Sequence, residues 1–261
     1  MFRNQYDTDI TTWSPAGRLH QVEYAMEAVK QGSAAVGIKS KNFVILASLK
    51  RAPHAELSSY QKKLFKIDEH IGIAIAGLAA DARVLSKYMR NECMNHNYVY
   101  DSPMPVARLV LKVADKSQKN TQTSSRRPYG VGLLVSGYDA QTGTHLYQTC
   151  PSGNYYEYKA IAIGARSQSA KTYLEKHYES FADSDDKDAL ILHALKALQG
   201  TTGDNVELNT KNCSLSVVGK NTPYQIFEGE NIEKYLSLLD QGEEDEDAGD
   251  DVEDETMQET A

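Results

Sequence analysis

The stretch Ile71-Gly72-Ile73-Ala74-Ile75-Ala76-Gly77 constrains this chain more than any other. Successive side chains of a strand point to opposite faces, so a strand with one wet face alternates apolar and polar residues. This run does not alternate. It predicts a strand buried on both sides, with a layer of structure against each face.

The neighbouring segments supply those layers. Ala34–Ile38 and Phe43–Ser48 read as a hairpin about Ser40-Lys41-Asn42, and Leu64–Asp68 pairs with the buried strand about Glu69-His70. Two helices follow. The first carries Leu78, Ala82, Leu85, Met89 and Cys93 on one side; the second, with Val106, Leu109 and Val113, starts near Ser102-Pro103, a cap followed by a first-turn proline. Beyond a polar loop with Arg126-Arg127-Pro128 come strands Gly130–Asp139, His145–Thr149, Tyr155–Tyr158 and Ala160–Ile163. Helices Ser167–Phe181 and Lys187–Gln199, strands Ser214–Val218 and Tyr224–Phe227, and a last helix with Ile232, Tyr235, Leu236 and Leu239 on one side complete the order. Ahead of all these, Ser14-Pro15-Ala16-Gly17 fits a type I turn. Leu19, Val22, Met26 and Val29 then form one helical stripe, and Gly32 stands where a left-handed cap is common. Hairpin-linked strands interrupted twice by helix pairs predict two mostly antiparallel sheets packed face to face with helices outside. The fold class is α+β, a four-layer αββα sandwich.

Charge divides the chain unevenly. The net charge is -8, yet residues 240–261 hold 12 acids and no base, leaving 28 bases against 24 acids in the body. The tail has almost nothing apolar to bury and is expected to remain disordered. Expected boundaries are therefore 1–17 for an amino-terminal segment and turn, 18–239 for the sandwich, and 240–261 for the tail. Residues 1–12 are polar and show no apolar stripe, so the fold is not expected to need them. Cys93, Cys150 and Cys213 are too few and too scattered for a disulfide framework, which fits a reducing compartment. No apolar run is long enough to span a membrane, and the acidity argues against nucleic acid as the main partner.

Searches for chemistry return little. There is no GxxxxGK[ST], no HExxH and no GxSxG, and Gly130-Val131-Gly132 lacks a third glycine. Cys93 and His96 lie three apart on a helix, but two donors without a second pair read as a core thiol and a surface imidazole. No metal or other cofactor is expected. The remaining histidines, His20, His54, His70, His145, His177 and His193, are scattered.

The ordered motifs say more. Tyr6-Asp7, Trp13-Ser14-Pro15-Ala16-Gly17-Arg18-Leu19 and Gln21-Val22-Glu23-Tyr24-Ala25-Met26-Glu27-Ala28 stand ahead of Gly32-Ser33. Ala76-Gly77-Leu78 with Asp81-Ala82-Arg83, Arg127-Pro128-Tyr129-Gly130-Val131, Tyr158-Lys159-Ala160 and Ile163-Gly164 follow in order. Over residues 4–239 this pattern resembles the proteasome alpha subunits. The resemblance implies the N-terminal-nucleophile hydrolase form of the αββα sandwich, matching the element order. It also implies a heteroheptameric alpha ring stacked on a catalytic beta ring, in cytoplasm and nucleus. The implied partners are neighbouring alpha subunits, beta-ring subunits, regulatory-particle ATPases and other activators, and unfolded polypeptide in transit.

The resemblance also implies an absence of catalysis. An active beta subunit exposes a threonine whose own free amine is the base. In register, Ser33 takes the nucleophile's place, but its nitrogen lies in a peptide bond behind 32 residues. Leu49 falls where a supporting aspartate would be, and Lys63 lies near the lysine's place. The competing reading is an autoprocessing hydrolase cleaved between Gly32 and Ser33. The family match further assigns Tyr6, Asp7, Pro15 and Tyr24 to a gate cluster, with Thr8 where many relatives carry Arg. It assigns Gly32, Lys63 and Leu78 to a pocket that captures the terminal carboxylate of an activator peptide. Lys62 is the candidate for a register error of one.

Overall fold

In a computed structural model, the structure describes residues 5–51, 61–203 and 206–239. The acidic tail and His54 lie outside these residues. Helix α1 (His20–Gln31) leads. Strands β1 (Ala35–Lys39), β2 (Phe43–Leu49), β3 (Leu64–Asp68) and β4 (Ile71–Gly77) follow, then helices α2 (Ala79–Tyr100) and α3 (Val106–Gln122). Strands β5 (Val131–Asp139), β6 (Gly143–Thr149), β7 (Tyr155–Glu157) and β8 (Ala160–Ile163) come next. Helices α4 (Ser167–Lys176), α5 (Tyr178–Ala182) and α6 (Lys187–Gln199), strands β9 (Cys213–Gly219) and β10 (Thr222–Phe227), and a short helix over 233–239 complete the chain.

The strands form two five-stranded antiparallel sheets, ordered β10-β9-β2-β1-β8 and β3-β4-β5-β6-β7. The αββα expectation therefore holds. Strand β4 shows how the layers are made. Ile71, Ile73 and Ile75 pack under α2 and α3 with Leu85, Met89 and Val110. Ala74 and Ala76 face the other sheet, in one cluster with Leu46 of β2 and with Leu134 of the neighbouring strand β5. Large residues fill the helix side and small ones let the sheets approach. The far side of the first sheet is covered by α4, α6, the last helix and the turn just before it, where Ile232, Tyr235, Leu236 and Leu239 are all buried.

Several local expectations change. The helix expected over 167–181 is broken at His177, so α4 and α5 are separate. Helix α3 does not start near Ser102-Pro103 but at Val106, whose N–H is capped by the carboxylate of Asp139, 33 residues away. A cap from another strand is invisible to a local sequence pattern. The buried face of α1 is His20, Val22, Ala25 and Val29, with Met26 exposed, so the stripe is rotated from the expected one. The helix is seated by glycines below it: a Cβ on Gly132 would collide with Val29. The turn at Ser14 forms, with the Gly17 N–H donating to the Ser14 carbonyl at 2.9 Å. Among residues 5–12, Ile10 is only 6% exposed, so this segment has an apolar anchor on the domain that no stripe in its sequence announces.

Candidate functional site

Helix α1 delivers the chain to one end of the sandwich. Gly32, just past its last residue, is extended (φ -65°, ψ 154°) rather than left-handed. Its lack of a side chain serves a different purpose from the expected cap. A Cβ there would stand 2.2 Å from the backbone nitrogen of Gly77. Gly77 itself has φ +114°, in the region that favours glycine. The two backbones therefore touch, and the end of α1 is locked against the β4–α2 junction. The Gly32 carbonyl accepts from the Ala165 N–H at 2.7 Å, tying in the approach to α4.

Around this contact opens a cleft of about 230 Å³, lined by Ala28, Gln31, Gly32, Ser33, Arg51, Gln61, Lys63, Gly77 and Leu78. All three residues assigned to the carboxylate pocket, Gly32, Lys63 and Leu78, are on its wall. Leu78 caps α2 and is 49% exposed, correcting its expected place on that helix's buried side. Its exposure is what gives the cleft an apolar lip. The choice between the two lysines is also made by packing. Lys62 is exposed, its ammonium 5.4 Å from the centroid of the Phe65 ring. Lys63 is 2% exposed and its Nζ donates to the carbonyl of Ser33 at 3.3 Å.

The electrostatics of the cleft are one-sided. Among the described residues no acid lines the cleft, while Arg51 adds a second cation. Burial first, and then the charge of Arg51, push the Lys63 ammonium down from its ordinary range to about 8. Arg51, Gln61, Gln31, Ala28 and Ser33 were not assigned to this wall from sequence. Arg51 had no periodic or motif signal, since it lies just past the end of β2.

Ser33, Leu49 and Lys63, the residues set in register with a nucleophile and its supports, lie near one another at this end of the sandwich. Ser33 is buried at the start of β1. It offers its carbonyl, not an amine, to Lys63. Leu49 ends β2 and donates its N–H to the Ala34 carbonyl. Helix α1 packs across β4 and β5.

The proposed gate residues are brought together only in part. The Tyr24 hydroxyl donates to the Asp7 carboxylate at 3.0 Å, and the Gln21 side-chain amide donates to the Asp7 carbonyl. Tyr6 is half-buried and Pro15 is exposed in its turn; neither belongs to this latch. Gln21 was not singled out from sequence, although it sits three residues before Tyr24 on the same helical face.

A second charged group lies at the same end of the sheet. Asp81 accepts from both guanidinium nitrogens of Arg127, at 2.6 and 2.7 Å, and from the Gly130 N–H at 2.9 Å. Burial alone would raise its carboxyl. The Arg127 and Gly130 bonds, with the Arg127 charge, outweigh burial and hold it below the ordinary carboxylate range. Elsewhere, Cys93 is buried and its thiol pushed up to about 12, while His96 bonds through Nδ1 to the Ser102 carbonyl. No helix among the described residues is long and apolar enough to cross a membrane.

Two antiparallel sheets are packed face to face with helices outside, and an amino-terminal helix lies against β4 and β5. Residues 29–218 match the sequence profile of the family described as "Proteasome subunit", and residues 6–28 match the amino-terminal signature of its A-type members. The chain belongs to the proteasome subunit family, as an alpha-ring member of the 20S core particle. Within the family the similarity is to alpha type-1. The chain is 62% identical to proteasome subunit alpha type-1 of Dictyostelium discoideum, over 93% of this chain and 97% of that one. It is 55% identical to the alpha type-1 subunit of Trypanosoma brucei rhodesiense, over 90% and 88% of the two chains. It is also 55% identical to a probable proteasome subunit alpha type-6 of Schizosaccharomyces pombe, over 92% and 87%. Membership implies assembly with other proteasome subunits.

Proposed function

We propose that this chain is a non-catalytic member of its ring. It helps to gate polypeptide entry through its amino-terminal segment. Through the Lys63 cleft it docks the carboxyl-terminal peptides of regulatory-particle ATPases or other activators. The active sites then lie on beta subunits, and the particle works in cytoplasm and nucleus on unfolded polypeptides. The observation that carries the docking role is the buried Lys63 ammonium in a cleft whose described wall holds no acid. A buried cation is costly unless an opposite charge meets it, so the site favours an arriving carboxylate. Ser33, acylated at its nitrogen and facing Leu49's strand without an aspartate, supports the absence of catalysis.

The test is Lys63→Ala in the assembled particle, with binding of a single activator-type peptide measured at this pocket. A charge-assisted contact of this kind contributes roughly 1.5–3 kcal/mol, so affinity should fall about 10- to 100-fold. Whole-activator binding would mask part of the loss by avidity through other pockets. Unchanged peptide affinity would remove the docking role. The competing hydrolase reading is separated by intact mass: a mature species beginning at Ser33 would support it, and retention of residues ahead of Gly32 would not.

A further inference from the structure

The docking reading uses Lys63 and leaves the other charged group of the cleft unexplained. Arg51 is exposed, yet its position is fixed at two points. Its Nη2 donates to the carbonyl of Gln31, the last residue of α1, at 2.7 Å, and its backbone N–H donates to Gln61 Oε1 at 3.1 Å. A guanidinium has five N–H donors, and the Gln31 bond uses one. The rest of the described wall offers nothing that titrates: Ala28 and Gln31 come from α1, Gln61 from the approach to β3, and Gly77 and Leu78 from the β4–α2 junction. Among the described residues, two cations thus face one small cleft with no acid between them.

We propose that Arg51 is a second, specificity-determining cation of this pocket, sharing the incoming terminal carboxylate with Lys63 and making its capture sensitive to pH. This rests on the docking reading above and assigns that site's second charge. In the empty cleft the two cations repel, and the only one that can relieve the repulsion is Lys63, by releasing its proton, because a guanidinium does not titrate in the working range. An arriving carboxylate reverses the balance and holds the proton on Lys63. Below about pH 8, where burial and Arg51 place the Lys63 ammonium, capture needs no proton uptake. Above it, each bound peptide must bring a proton to Lys63, and affinity falls by about tenfold per pH unit.

The experiment uses the assembled particle and a short synthetic peptide with a free carboxyl terminus and a photo-reactive group. Crosslinking to this chain is resolved by mass from the other subunits, between pH 6.5 and 9.5. The wild type should show flat affinity to about pH 8 and a decline above it. Arg51→Gln should weaken capture at pH 7 by about two- to fivefold, as an exposed charge does, and move the decline to higher pH. Arg51→Lys keeps the charge and should keep the wild-type break point. An Arg51→Gln profile with an unmoved break point would overturn the assignment of Arg51, as would Arg51→Lys behaving like Arg51→Gln. The amidated peptide and Lys63→Ala control the underlying reading. If either leaves capture intact, carboxylate docking at this pocket fails, whatever Arg51 does.

Discussion

Asp81 and Lys63 are both buried charged side chains at one end of the second sheet, and they have opposite fates. Asp81 sits at the start of α2 with its partners supplied by the same chain: two guanidinium nitrogens of Arg127 and the N–H of Gly130. Its charge is stabilised and its role is to fasten the start of β5 to α2. Lys63, beside β3, has a single backbone carbonyl at 3.3 Å and a second cation nearby. Its charge is destabilised. A buried charge that the chain satisfies by itself is structural; one held against repulsion in an open cleft is what the proposed docking role requires.

The contrast can be broken or sharpened by substitution. The largest effect is expected at the shared floor. Gly32→Ala forces a methyl onto the Gly77 backbone, which cannot step aside as a flexible side chain would. Denaturant unfolding of the purified chain should show a loss of about 3 kcal/mol or more. A loss under about 1 kcal/mol would mean the α1–β4 contact is loose and the cleft ill-defined.

Asp81→Ala comes next. It leaves the Gly130 N–H without its acceptor and Arg127 without its carboxylate, but Arg127 is largely exposed. A loss of about 2–3 kcal/mol is expected. The sign with pH follows from the lowered carboxyl. The wild-type advantage is complete above the ordinary carboxylate range and disappears as pH falls through the folded value. A difference between the two proteins that persists unchanged into strong acid would show that packing, not charge, is lost.

Lys63→Met should act in the opposite direction. The lowered ammonium means that the folded state holds this proton less well than the unfolded one. The cost is therefore complete below about pH 8 and is relieved as pH rises toward the ordinary lysine range. With the lost bond to the Ser33 carbonyl set against the relieved charge, the variant should be more stable by about 2 kcal/mol at about pH 7, and the gain should shrink above about pH 8. A destabilised variant at every pH would place Lys63 beside Asp81 as a structural charge.

The smallest effect concerns the tether of the amino-terminal segment. Tyr24→Phe removes one hydrogen bond to Asp7 and leaves the Gln21 bond in place. A loss of about 1 kcal/mol is expected. Amide exchange around Asp7 should accelerate about fivefold, the equivalent of that loss, with a slight rise in basal peptide hydrolysis by the particle. Unchanged exchange would show that Ile10, the buried residue of this segment, carries the anchoring alone.

What the sequence determined by itself was the order and kind of the elements. Strand β4 declared its two neighbouring layers because burial on both faces leaves a run that does not alternate. The motif order from Tyr6 to Gly164 carried the family, and with it the candidate positions Gly32, Lys63 and Leu78 for the pocket and Tyr6, Asp7, Pro15 and Tyr24 for the gate. Where one element was marked by its own residues, as in β3, β4 and β8, the boundaries agreed with the structure.

Tertiary structure alone decided the rest, because its causes lie far apart in the chain. Asp139 caps α3 from another strand, which moved the start of that helix. Gly32 is needed by Gly77, 45 residues on, and not by the helix it follows. Which of Lys62 and Lys63 is buried depends on strand facing, and a shift of one residue exchanges the faces. Arg51 enters the cleft only because the end of β2 is folded against the last residue of α1, where the Gln31 carbonyl holds its guanidinium. Charge repulsion between Arg51 and Lys63 is a property of distance through space, and a linear sequence carries no such distance.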